Sequence, residues 1–486
     1  MARNLSKSKY LSGLQCEKRL WLEINDPHKA SPVSESQQRL FDQGKEVGEL
    51  ARSHFPGGYL IVVDRSRIFD SAVETQEAIS RGESVIFEAS FIYDDTIVLC
   101  DILAKNDNGT WDIIEVKSAG EVKPEYIPDI AVQKYVVEGA GLTVRKTKIM
   151  YINKECVYPD LSNLFLTKDI TENVQKIFDE VPKNTRVFKE LIQRDAEPEI
   201  VIGPHCGRPY ECPFIEYCWK DVGDRSVFQI PNLSIAKKMS LRERGLLLID
   251  HIPHDYPLAY NQRNYVNRRL TGRTYMNKSV IRGMLSRLEF PIHFLDFEAD
   301  NPAVPRLHGM RPFQLIVFQL SCHTLHEDGR LEHFEYLHID MSDPRESVIE
   351  RLINIVNKKG SVVVYNASFE RRVIYELASA FPKYRAELES INSRLWDQLN
   401  IFKSHYKHPD FGPSNSLKSV LPVLVPHLNY QELAVSEGTE AQVFWNTIIR
   451  TSDEEGRGKM INDLKEYCTL DTLGMVEIHK FLQSLE

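Results

Sequence analysis

Cysteine is scarce in this chain, with eight residues in 486. So sparse a set excludes the disulfide framework of a small secreted domain. Long apolar runs are missing too: Leu315 to Phe318 and Leu246 to Ile249 fall far short of the ~20 residues that a bilayer span needs. The start of the chain, Met-Ala-Arg-Asn-Leu-Ser-Lys-Ser-Lys-Tyr, is polar and basic where a signal peptide needs its apolar stretch, so we expect a cytoplasmic protein with no membrane partner. Neither sign of charge dominates. Lys plus Arg is 60 and Asp plus Glu is 69, a net −9 that does not by itself announce a nucleic-acid binder. Repeats and low-complexity tracts are absent. What remains is an ordinary globular balance, 42% hydrophobic and 27% charged, in a chain long enough for two large domains.

Thr96 to Lys105 is a predicted buried strand, Asn106 to Thr110 a tight turn and Trp111 to Ser118 the returning strand of a hairpin. A helix over Pro128 to Glu138, stopped by Gly139 and Gly141, and a strand over Thr147 to Ile152 follow. A second α/β pattern begins near Pro291, with strands at Ile292 to Glu298, Phe313 to Thr324 and Leu331 to Ile339. A helix from Asp343 and Pro344 to Lys359-Gly360, a strand over Ser361 to Tyr365 and a helix from Phe369 complete it. Between the two patterns, Tyr256 to Leu288 carries Arg263, Arg268, Arg269, Arg273, Lys278, Arg282 and Arg287 and no acidic residue. Tyr260, Tyr265 and Tyr275 are interleaved with these cations, as on a surface that neutralises phosphates and stacks on bases. A solvated linker is the competing reading.

In Ile-Ile-Glu-Val-Lys-Ser, Glu115 and Lys117 are two residues apart on one strand, so both side chains share a face, and Asp101 lies across the hairpin. Two carboxylates can hold a hard cation such as Mg²⁺ while an ammonium orients water or stabilises phosphate charge, the chemistry of phosphodiester hydrolysis. His54, Glu88 and Gln133 are further candidates in the same region. Three cysteines, Cys206, Cys212 and Cys218, fall close together and point to a ligand set. Cys100, Cys156, Cys322 and Cys468 read as small core residues.

Residues 1 to about 225 resemble the RecB-type branch of the PD-(D/E)XK nucleases, in particular the CRISPR-associated single-strand exonucleases with an iron–sulfur cluster. The resemblance implies an active site of His54, Asp101, Glu115, Lys117 and Gln133, with Asp101 and Glu115 on Mg²⁺ or Mn²⁺. The family's Tyr four residues after the Gln is Val137 here, and Tyr135 is two away. The resemblance also implies a [4Fe–4S] cluster on Cys16, Cys206, Cys212 and Cys218, with Cys206 spaced more widely than is common. Zinc on the same thiols is the alternative, although short Cys-x-x-Cys knuckles are lacking.

In His-Phe-Leu-Asp-Phe-Glu-Ala, Asp296 and Glu298 share one face of a predicted strand, where two like charges need a cation. Val-Tyr-Asn-Ala-Ser-Phe-Glu-Arg-Arg offers Asn366 and Glu370 at a strand-to-helix junction, and Tyr467 and Asp471 stand one helical turn apart. Residues 290 to 486 resemble the DEDD exonucleases of RNase H-like fold, in the subtype ending in Tyr-x-x-x-Asp. That likeness implies metal ligands Asp296, Glu298, Glu370 and Asp471, with Tyr467 orienting water. The family's Asn-x-x-Phe-Asp stands here as Asn-Ala-Ser-Phe-Glu, and Asp397 is a substitute ligand or a support.

We therefore expect an α/β protein: a PD-(D/E)XK restriction-endonuclease-like domain over 1–230, a basic linker or small helical subdomain over 231–289, and an RNase H-like exonuclease domain over 290–486. The implied activity is metal-dependent trimming of nucleic-acid ends, single-stranded DNA foremost, in repair, processing or defence and with room for a helicase or defence partner. A nucleic-acid-binding module with degraded sites is the alternative.

Overall fold

The computed structural model describes residues 4–64, 67–220, 222–223, 225–356, 359–431 and 433–485. They form two compact units, Met1–Asp221 with Ala303–Phe313, and Val222–Pro302 with Gln314–Glu486. Each is mixed α/β and built on a mixed sheet. Among the described residues no helix is long and apolar enough to cross a membrane.

The first unit carries strands β1 (Leu5–Ser6), β2 (Tyr59–Leu60), β3 (Val85–Tyr93), β4 (Thr96–Lys105), β5 (Trp111–Lys117), β6 (Val144–Ile152) and β7 (Phe165–Asp169). Its helices are α1 (Lys7–Gln15), α2 (Glu17–Asn25), α3 (Glu35–Arg52), α4 (Ile68–Arg81), α5 (Tyr126–Gly139), α6 (Thr171–Ile177), α7 (Val181–Ile192) and α8 (Ile215–Trp219). The sheet order is β2-β3-β4-β5-β6-β7, with β1 beside β4. The expected hairpin is β4 and β5, Lys105 opposite Trp111. Its turn passes through Gly109 at φ +78°, where a β-carbon would be strained. β5 then runs parallel to β6, a pairing that needs a crossover, and α5 supplies it. Alternation along β5 sends Ile114 to a core with Ala51, Phe87 and Met150 and Ile113 to the opposite core with Ile130, Ala131 and Val136 of α5. Glu115 and Lys117 share the face of Ile113, so the strand's period delivers them under α5.

The second unit contains α9 (Ile235–Glu243), α10 (Tyr260–Thr271), β8 (Tyr275–Met276), α11 (Lys278–Leu285), β9 (Ile292–Asp300), β10 (Ile316–Leu325), β11 (Leu331–Leu337), α12 (Arg345–Val356), β12 (Val362–Val364) and α13 (Ser368–Ala380). It continues with α14 (Arg385–Ser393), β13 (Leu395–Asp397), α15 (Leu399–Ser404), β14 (Tyr406–Lys407), α16 (Leu417–Leu424), α17 (Gly438–Ile448) and α18 (Glu454–Gln483). The main sheet runs β11-β10-β9-β12-β13, antiparallel through β9 and parallel beyond it. Before β12 the chain turns at Gly360, φ +82°, where a β-carbon would lie 1.9 Å from the Pro291 carbonyl oxygen.

Several expected boundaries move. The units divide at 221–222, and residues 231–289, with α9, α10 and α11, belong to the second unit, where Leu233, Leu241, Ile249 and Tyr265 pack with Val227 and Ile230. β10 begins at Ile316 rather than Phe313, whose φ of +62° is incompatible with a strand. Residues 303–313 belong to the first unit instead: Ala303 and Val304 join Val47, Ile152, Cys156 and Leu164, and the Met310 carbonyl accepts the Tyr158 N–H at 3.0 Å. α12 is described to Val356, and residues 357–358 of the longer expected helix lie outside the described residues.

Candidate functional site

Within the first unit, Glu115, Lys117 and Gln133 meet as expected, together with two residues that the motif did not include. Lys117 Nζ donates to Glu115 Oε1 at 2.8 Å and to Asp129 Oδ2 at 2.6 Å. Lys7 Nζ, from the first turn of α1, lies 2.9 Å from the same Glu115 oxygen and 3.1 Å from Asp129 Oδ1. Gln133 Nε2 donates to Glu115 Oε2 at 2.7 Å and to Asp129 Oδ1 at 3.1 Å. Asp129 was legible in retrospect, being one turn before Gln133 on the same helix face. Nothing local to Lys7 signals its role, because the chain must fold to bring it there.

Asp101 accepts the Val116 N–H at 2.7 Å, which aims it across the hairpin as expected. Burial, then repulsion from Glu115, raises its pKa to about 7, partly offset by Lys7 and Lys117. Burial works against the charge of Lys7 and of Lys117, yet Asp129 and Glu115 more than offset it and hold both ammonium groups well above the ordinary lysine value. For Asp129 burial likewise opposes ionisation, and the two lysines override it and hold the carboxyl well below the usual range.

His54 does not join this group. Its ring meets Phe165 edge-on at 5.2 Å, and among the described residues no side-chain hydrogen bond links it to Asp101 or Glu115. It follows the end of α3, and packing against β7 rather than polarity sets its place. Glu88, at φ +55°, pairs with Arg52 at 2.9 Å.

All four expected cysteine ligands line one small pocket, together with Lys18, Arg19, Leu22, Ile200, Ile202, His205, Phe214 and Ile215. Cys16 ends α1 and starts α2, Cys218 lies in α8, and the loop between Cys206 and Cys212 is closed by the Cys212 N–H on the Cys206 carbonyl at 2.8 Å. Gln15 Nε2 ties α1 to that loop through the carbonyls of His205 and Tyr210, at 2.6 and 2.7 Å. Burial raises the thiols of Cys16 and Cys218, and that of Cys212 to about 11. Among the described residues no three of these sulfurs lie within 4.8 Å of one another. One tetrahedral zinc would hold them about 3.8 Å apart, from bonds of about 2.3 Å.

In the second unit, β9 and α18 bring Asp296, Glu298 and Asp471 together, their ligand oxygens within 4.8 Å of one another. The two strand residues share a face by the strand's period of two, opposite Ser321 and Gln319 of β10, and α18 packs against β9. Burial, then Asp471, Glu298 and Glu370, lifts Asp296 well above the carboxylate range. Burial and then Asp471 lift Glu298 to about 8. Asp471 reaches only about 6, because burial is opposed by the hydrogen bond from Tyr430, by Lys418 and by Tyr467. The Tyr430 hydroxyl donates to Asp471 Oδ1, a contact with no sequence signal, since Tyr430 lies in a loop between α16 and α17. Tyr467 is buried, and burial, then Asp471, raises its pKa far above the phenol range, so it stays protonated. Lys418 Nζ stands 5.7 Å from the Tyr430 ring and 5.4 Å from the Tyr467 ring.

Glu370 is outside the set of three. It is buried at the start of α13, its Oε2 has no hydrogen-bond partner among the described residues, and burial raises its pKa to about 8. Asp397 is a support: it accepts the backbone N–H groups of Asn366, at φ +72°, and Leu399, at 3.0 and 3.1 Å.

The basic segment is divided. Arg263 donates to the Tyr256 carbonyl, Arg269 to the Pro409 carbonyl at 2.8 Å, and Arg268 and Tyr265 are drawn inward. Arg273, Lys278, Tyr260 and Tyr275 are exposed.

Residues 293–416 match a family described as a domain of unknown function, DUF2779. No curated protein matches the chain significantly. Among solved structures, the crystal structure of SSO0001 is similar at a TM-score of 0.21 and 13% sequence identity, over 46% of this chain and 89% of that chain. The stretch similar to DUF2779 includes Asp296, Glu298 and Glu370 and ends before Asp471.

Proposed function

We propose that this chain is a metal-dependent nuclease with two hydrolytic sites that trims nucleic-acid ends, single-stranded DNA foremost. The observation that carries the reading is the convergence of Asp296, Glu298 and Asp471, three buried or half-buried carboxylates with no ion-pair partner among the described residues. Oxygen donors at this spacing suit Mg²⁺ or Mn²⁺, and the unpartnered Glu370 oxygen adds a donor at the margin. In this reading the second unit is an RNase H-like exonuclease of DEDD type and the first a PD-(D/E)XK domain on Asp101, Glu115, Lys117 and Gln133. In this reading the four thiols that line one pocket, Cys16, Cys206, Cys212 and Cys218, would hold a [4Fe–4S] cluster, with zinc on the same thiols as the alternative.

Divalent cations, when bound, supply the positive charge that makes water a nucleophile at neutral pH and offsets charge on phosphate. The protein's own residues do the rest. Gln133 fixes the Glu115 carboxylate, and the Lys117 ammonium stabilises charge on a scissile phosphate placed against it. Tyr467, kept protonated by burial, orients water through its hydroxyl. Arg273 and Lys278 contact phosphates, while Tyr260 and Tyr275 stack on bases.

Oligonucleotides labelled at either end, incubated with the full chain and Mg²⁺, Mn²⁺ or EDTA, test the proposal. Asp101→Ala and Lys117→Ala should abolish one metal-dependent activity, and Asp296→Ala and Asp471→Ala another. Retained binding with no degradation in any metal would make the chain a nucleic-acid clamp. Protein kept free of oxygen should be brown, and Cys212→Ser should bleach it; stoichiometric zinc without iron would remove the cluster from the proposal.

A further inference from the structure

Lys7 is held in place from both sides. Before it, Leu5 is buried and pairs with Thr96 of β4, and Ser6 caps α1 by accepting the Lys9 N–H at 3.3 Å. After it, Tyr10 packs edge-on against Phe188 at 5.5 Å, and Gln15 anchors the far end of the helix. An ammonium on so fixed a stem is not a surface charge that happened to find a carboxylate. It completes a ring of alternating sign, Lys7, Glu115, Lys117 and Asp129, each cation touching both anions.

One ammonium could not neutralise two buried carboxylates, and leaving either unpaired would be costly. Lys117 donates to both carboxylates, at 2.8 and 2.6 Å, and it can leave them for a substrate only if a second cation stays behind to hold their charge. We propose that Lys7 is a positioning residue of the Glu115–Lys117 site, taking over the charge of Asp129 and Glu115 so that Lys117 can turn to the phosphate. This rests on the nuclease reading of that site. It also gives the removal of Lys7 an unusual signature. The site becomes more negative and binds a divalent cation more tightly, yet turns over more slowly because Lys117 stays tethered.

The experiment uses the full chain carrying Asp296→Ala to silence the second site, with Mn²⁺ binding measured directly by the free-ion EPR signal and turnover measured on labelled single-stranded DNA. Lys7→Ala should lower kcat about 10²-fold, the cost of a misplaced catalytic group, leave KM for DNA unchanged and tighten Mn²⁺ severalfold. Lys7→Arg should restore both values. Unchanged turnover, or slower turnover with weaker Mn²⁺ as an unfolded site would give, overturns the inference, and so does Mn²⁺ affinity that fails to tighten. Asp101→Ala in the same background separates the two readings. If it is inactive while Lys7→Ala is normal, only the role of Lys7 falls; if it remains active, the nuclease reading of this site falls and the inference with it.

Discussion

Around Glu115 the chain supplies its own counter-ions: two ammonium groups within 3.1 Å of the carboxylates they serve. Around Asp296, Glu298 and Asp471 no ion pair does so among the described residues, and Lys418, 5.4 Å from the Tyr467 ring, acts on Glu298 and Asp471 without a direct bond. The electrostatics diverge accordingly. Asp129 is held well below the carboxylate range, whereas Glu298 and Glu370 are raised to about 8. A buried acid cluster can be stabilised internally, at the risk of occupying the groups that must act, or left open to an external cation, at the cost of protonation in its absence.

The comparison breaks most sharply on the sign of a charge-neutralising substitution. Glu115→Gln should destabilise the first unit by about 3 to 5 kcal/mol, because it leaves Lys7 and Lys117 sharing one anion. Chemical denaturation in EDTA measures it. Asp296→Asn should do the opposite in the second unit. Equal signs would mean that both clusters are neutralised alike.

The second unit also keeps buried imidazole neutral. Burial depresses His479 to about 4, and neither ring nitrogen has a hydrogen-bond partner among the described residues. The unfolded chain takes up that proton near pH 6.5 and the folded one only near 4, so this contribution is present above 6.5 and lost as pH falls between the two values. His479→Phe should therefore remove up to about 3 kcal/mol of acid sensitivity from the second unit, read as the difference in stability between pH 7 and pH 4.5 for parent and variant. An identical pH profile would place the imidazole in water.

Asp296→Asn, in the absence of divalent cations at pH 8, should stabilise by about 1 kcal/mol and abolish the rise in Tm that Mn²⁺ gives the parent. That rise should be the larger of the two sites' responses. A larger response lost with Asp101→Ala would reverse the comparison.

The smallest effect concerns the basic segment. Arg273→Ala should flatten the log–log salt dependence of single-strand binding by about 0.7, one phosphate contact, with stability unchanged. Arg269→Ala should lower stability instead, since its guanidinium is committed to the Pro409 carbonyl.

Much of this was legible in the residues themselves, wherever a pattern acts over short range. Alternation along β5 placed Glu115 and Lys117 on one face, Asn106 to Thr110 marked the turn, and the one-turn spacing of Tyr467 and Asp471 put both beside one site. The acidic character of β9 in an otherwise apolar strand disclosed Asp296 and Glu298. The edge-on contact of His54 with Phe165 is not recorded by any local spacing.

By itself, then, the sequence determined the two α/β patterns, the strand faces and the chemical kind of each cluster, since dihedral preferences and periodicity are properties of neighbouring residues. Only the tertiary structure decided the charge balance at each site. Lys7 reaches Glu115 from 108 positions away, and Tyr430 reaches Asp471 from 41. Residues 303–313 leave their own stretch of chain for the core of the first unit. Such contacts are chosen by which surfaces bury together, and no local spacing records them.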